Sequence, residues 1–142
     1  MNNVAYHVTC VSNLPSIRKH GLRAGSRWTV SIPLAKYYCE SLEFEEDPVI
    51  LMVPLSSLPV EDRIPDYHSL SDCCIPEVRA ASGLSTTEEA CDAWEKSEQD
   101  WQASLNLTSA FGMTSLVAPE HLLVMSQDWR DSHAEAMSKS IH

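Results

Sequence analysis

Between Val4 and Tyr38 the chain changes its apolar period three times, and that order of changes constrains the fold more than any other feature. Val4, Tyr6 and Val8 alternate with Ala5, His7 and Thr9. A strand there sets His7 and Thr9 side by side on one face. A short helix follows. Asn13 is a good N-cap, Pro15 fits a first turn, Leu14 and Ile17 share a face, and Gly21 ends the element. Beyond the Arg23-Ala24-Gly25-Ser26 turn, Trp28-Thr29-Val30-Ser31 reads as a second short strand. Ser31 can then cap another helix, with Pro33 in its first turn and Leu34, Tyr38 and Leu42 along one side.

Charge sets this stretch apart. The first 39 residues hold Arg18, Lys19, Arg23, Arg27 and Lys36 and no Asp or Glu. The other 103 residues hold five basic and twenty acidic residues, so a lobe of about +5 precedes one of about −15. A basic lobe in an acidic chain suggests that it faces an anion. The overall acidity argues against duplex binding, which needs clustered cations, but leaves room for a nucleic acid strand across the first lobe.

The pattern Tyr6-His7-x-Thr9, a helix ending His20-Gly21-Leu22, a strand ending in Ser31, then Ala35-x-x-Tyr38 resembles ADP-ribosyltransferases of the His-Tyr-Glu class. That class includes poly(ADP-ribose) polymerases, diphtheria-type toxins and DNA-targeting toxins. The pattern is also similar to RNA 2′-phosphotransferases. The resemblance covers residues 4–39 and returns faintly over Val117-Ala118-Pro119-Glu120-His121-Leu122. It implies an α+β fold with a split, mostly antiparallel sheet, flanking helices, and a cleft between the strands bearing His7 and Ser31. It implies NAD as substrate and a macromolecular target, protein or nucleic acid, as partner. His7 would then hold a ribose, Thr9 would support it, and Tyr37 or Tyr38 would stack on nicotinamide. Arg18, Arg23 or Arg27 would pair the pyrophosphate, as a guanidinium fork does well, with Arg23 and Arg27 favoured because they flank the Gly25 turn. Tyr6, Gly21 and Ser31 complete the implied NAD-binding set, and His7 and Tyr38 the implied catalytic one.

The pattern departs from the class where its catalytic Glu should stand. Asn106 to Met113 contains no carboxylate. Glu120, slightly late, is the stand-in, with Glu98 and Asp100 one helix earlier as alternatives. Three expectations therefore stand together. The chain is a mono-ADP-ribosyltransferase of toxin, effector or phage counter-defence type. Or it is a catalytically weak domain of the same fold, acting as an acidic binding or inhibitor protein. Or, least of all, it is an RNA 2′-phosphotransferase.

The rest of the chain adds less. Residues 1–142 read as a single domain, with 128–142 a loosely ordered tail. Val49 to Val53, bounded by Pro48 and Pro54, reads as a central strand buried on both faces. Leu55 to Ile75 reads as a long loop. Ser85 and Thr86 open overlapping capping boxes for a helix running to about Leu105, with Trp94 and Trp101 on its apolar stripe. Gly112–Val117 and Leu122–Met125 read as strands. Five cysteines in no metal spacing, and no leader or spanning segment, predict free thiols, no metal, no membrane contact and a cytoplasmic location.

Overall fold

The computed structural model describes residues 4–41, 47–67 and 87–125. Within them six strands form one sheet: β1 (Val4–Cys10), β2 (Arg27–Thr29), β3 (Pro48–Pro54), β4 (Arg63–Pro65), β5 (Ala110–Met113) and β6 (Leu123–Met125). Four helices flank it: α1 (Leu14–His20), α2 (Ile32–Ser41), α3 (Thr87–Lys96) and α4 (Trp101–Thr108). The sheet order is β4-β5-β2-β1-β3-β6 and every pairing is antiparallel. The expected α+β class with a mostly antiparallel sheet and flanking helices is present.

β1 organises the sheet unevenly. It pairs with β3 along its whole length, from Val4↔Pro54 to Cys10↔Pro48. With β2 it shares the single pair Tyr6↔Thr29. The pleat therefore sends Ala5, His7 and Thr9 to one face and Val4, Tyr6 and Val8 to the other. On the first face Ala5, Leu51, Val53, Trp28, Phe111 and Met113 pack with Ile17 of α1 and Leu22. On the second, Tyr6, Ile50 and Met125 pack with Ala35 of α2.

The apolar run of β3 follows from this two-sided burial, since Ile50 faces one core and Leu51 and Val53 the other. β3 is paired on both sides, by β1 and β6, but β1 and β2 occupy the middle of the sheet. Pro48 and Pro54, which have no N–H to give, sit at its two ends.

Four boundaries differ from the sequence reading. The Leu55–Ile75 loop contains the edge strand β4 and two 3₁₀ turns, at Leu55–Ser57 and Val60–Asp62; its part beyond Tyr67 lies outside the described residues, as do the capping boxes at Ser85 and Thr86 and the 128–142 tail. The second strand is Arg27–Thr29 rather than Trp28–Ser31, because Ser31 is taken up in capping α2. The helix expected to reach Leu105 is broken after Lys96. Gln99 takes a left-handed φ of 55°, and the Asp100 side chain caps α4 by accepting from the Ala103 N–H at 2.9 Å. The strand expected at Gly112–Val117 runs instead from Ala110 to Met113. It starts earlier because Ser109, at φ 60°, closes α4. Val117 makes only an isolated bridge to Leu22.

Candidate functional site

Beside the single β1–β2 pair, a side chain bridges the two strands. The His7 Nδ1–H donates to the Arg27 carbonyl at 2.7 Å. A carbonyl only accepts, so Nδ1 carries the proton and the neutral ring keeps Nε2 as an acceptor. The imidazole also leans on the buried Trp28 indole, centroids 5.4 Å apart. Burial, the largest influence, pushes its pKa below the ordinary histidine value; the bond to Arg27 opposes this and the Arg27 charge adds to it. The ring is thus held neutral in one tautomer.

This half-buried ring lines an open cleft of about 400 Å³ on the first face of the sheet. Thr9 lies next to it on β1. α1 contributes Ser16 and Ile17, the strand-to-helix turn contributes Asn13, and Gly21 to Ser26 form the opposite wall. Among the described residues the cleft lining contains one cation, the exposed Arg23, and no Asp or Glu.

Gly21 has a specific place in this wall. Its φ is 79°, and a Cβ there would collide with the Val117 carbonyl and come within 3.1 Å of the Pro119 ring. The Leu22–Val117 bridge, with N–H···O distances of 2.9 Å in both directions, pulls the two segments together. The wall therefore stays closed only with glycine at this corner.

Of the residues singled out from the sequence, His7, Thr9, Gly21 and Arg23 converge on the cleft. The others stand elsewhere. Tyr6 is buried on the opposite face, in the core under α2. Arg27 alternates with Trp28 along β2, so only its carbonyl turns toward His7 while its exposed side chain belongs to the face of Thr29. The Ser31 hydroxyl accepts from the Leu34 N–H at 3.2 Å and caps α2. Tyr37 and Tyr38, edge to face at 5.8 Å, are on α2, against the second face. Glu120 is exposed on the 3₁₀ turn Pro119–His121, outside the cleft lining. Of the two alternative carboxylates, Asp100 is occupied as the α4 cap and Glu98 is exposed outside the cleft lining.

Asn13 was legible as a helix cap but makes no side-chain cap hydrogen bond. Its amide instead donates to Thr9 Oγ1 at 2.9 Å and to Cys10 Sγ at 3.3 Å. Ser16 and Ser26 carry no pattern that would have marked them. Among the described residues no cluster of His, Cys, Asp or Glu could hold a metal ion, and no helix is long and apolar enough to cross a membrane. Comparison with protein-family models, curated proteins and solved structures finds no match to this chain.

Proposed function

We propose that the cleft binds NAD and that the chain is a mono-ADP-ribosyltransferase acting on a macromolecule. One observation carries the reading: His7 and Thr9 of β1 and Gly21 and Arg23 of the segment after α1 line one cleft. Neutral His7, with Nε2 as acceptor, suits a ribose hydroxyl. Arg23 suits a pyrophosphate, and the cleft has the scale of a nucleotide portion. In the transfer the C1′–N bond to nicotinamide breaks, and nicotinamide leaves with the bonding pair. A nucleophile of the target forms the new bond to C1′ and gives up its proton to solvent water. His7 and Thr9 hold the ribose as positive charge develops on it.

A second reading has its own support. Among the described residues no carboxylate lines the cleft, so none of them supplies the anion that the class employs to stabilise the charge on the ribose. A domain that binds NAD without transferring ADP-ribose fits that observation, with the acidic remainder of the chain available to a basic partner.

Two measurements separate these readings. NAD at a hundred times its dissociation constant should raise the melting temperature by roughly 6–10 °C, since it stabilises the native state by about 2.7 kcal/mol. Incubation with adenine-labelled NAD and cell lysate should place label on protein or nucleic acid. A thermal shift without transfer supports the binding domain. No shift at millimolar NAD removes both readings.

A further inference from the structure

Thr9 is 7 % exposed, yet it lines the cleft. Its hydroxyl oxygen accepts from the Asn13 amide at 2.9 Å. Among the described residues no acceptor takes the hydroxyl's own proton. A buried donor left unmade costs free energy, and native proteins seldom carry one without a ligand or water to receive it. The Asn13 amide also fixes where that proton goes. Its nitrogen lies within donating distance of both Thr9 Oγ1, at 2.9 Å, and Cys10 Sγ, at 3.3 Å. With a lone pair of Oγ1 occupied from the Asn13 side, the O–H turns away from Asn13.

We infer that Asn13 is a positioning residue that turns the Thr9 hydroxyl into an oriented hydrogen-bond donor for an oxygen of the ligand in the cleft. The inference rests on the NAD-binding reading above and adds a polarity to it. His7 and Thr9 are two residues apart on one strand face, about 6.6 Å along the chain. His7 offers an acceptor and Thr9 a donor. This mixed pair matches a sugar whose hydroxyl gives a proton at one position and whose oxygen receives one at another. It matches a row of phosphate oxygens poorly, because His7 would then face an acceptor with a lone pair. Asn13 and Thr9 thus assign the β1 side of the cleft to the ribose and leave Arg23, on the opposite wall, for the phosphates.

The test is a double-mutant cycle read by calorimetric NAD affinity, with melting temperatures as a check on folding. Asn13→Asp keeps the shape but reverses the bond: a carboxylate accepts, so the Thr9 proton is drawn back to residue 13. Thr9→Val removes the hydroxyl, and Thr9→Ser retains it if the valine variant folds poorly. Asn13→Asp and Thr9→Val should each weaken NAD about five- to ten-fold, and Thr9→Ser by less than about two-fold. In the Thr9→Val background Asn13→Asp should cost nothing further, because its effect passes through the hydroxyl. Wild-type affinity for Asn13→Asp would overturn the inference. So would an equal loss in both backgrounds, which would mean that the new charge simply repels the ligand. His7→Ala keeps the two levels apart: if it weakens NAD while the Asn13 and Thr9 variants do not, the inference fails and the NAD reading stands. If the wild type binds no NAD, both fall.

Discussion

At the scale of single residues, His7 and Gly21 are held by geometry that makes opposite demands. His7 must stay neutral for its Nδ1–H to serve Arg27 while Nε2 remains an acceptor. Its folded pKa lies below the ordinary value near 6.5, chiefly through burial. The unfolded chain therefore binds more protons as pH falls through 6.5, and stability falls with it, the loss being complete below the folded pKa. The stability difference between wild type and His7→Gln, measured by denaturant titration, should shift against the wild type from pH 7.5 to 5.5. Parallel pH profiles would mean that the ring titrates normally. Gly21 makes a steric demand. Gly21→Ala combines a strained positive φ with a backbone collision at Val117, and should cost roughly 2–5 kcal/mol. Gly25 also has a positive φ, 93°, but open space around it. Gly25→Ala should cost only about 1–2 kcal/mol. Equal losses at the two glycines would show that close approach of residues 117–119 contributes nothing.

At the scale of elements, what the sequence revealed follows from length and burial. β1 shows a clean period of two because its faces meet different surroundings, the cleft and first core on one side and α2 on the other. β3 is a plain apolar run because both its faces are covered. α2 is announced by a Ser cap and a Pro in the first turn. β4 was hidden because a three-residue edge strand, Arg63-Ile64-Pro65, is too short to show a period. It is held by chemistry that has no sequence signature. The Arg63 guanidinium lies over the Trp101 ring at 4.5 Å and donates to the Leu55 and Leu58 carbonyls. The break between α3 and α4 was missed because Trp94 and Trp101 are seven apart, a spacing that one continuous helix also satisfies. The two rings instead go separate ways, Trp94 to Tyr67 and Trp101 to Phe111. Asp100 carries the break. Asp100→Ala should lower stability by about 1 kcal/mol, and Asp100→Asn, which still caps, by much less. An alanine variant as stable as wild type would mean that α4 starts without its cap. For the site, alternation disclosed His7 and Thr9 together, but the Asn13–Thr9 bond depends on how β1 turns into α1, which no pattern encodes.

At the scale of the whole molecule, the charge split has more than one cause. Arg18, Lys19 and His20 occupy the last turn of α1, where positive charge complements the exposed helix carbonyls. They need no ligand to account for them. Arg23 is different: it follows the Gly21 corner and is the cleft's only lining cation among the described residues. Arg27 carries the same charge nearby in sequence, but its strand turns it to the other face. NAD is a net anion approaching a chain of net charge −10. At long range the chain repels it, and salt screens that repulsion beyond a Debye length of about 8 Å at physiological ionic strength. A direct Arg23–pyrophosphate pair is much less screened. Arg23→Ala should therefore weaken NAD about ten-fold at both low and physiological salt, and weaken nicotinamide riboside, which lacks the phosphates, far less. Arg27→Ala should weaken NAD only slightly at low salt and not at all at physiological salt, as expected for a distant charge. If the two variants lose affinity equally and both losses vanish with added salt, the basic lobe attracts anions only diffusely. NAD would then have no phosphate contact at Arg23.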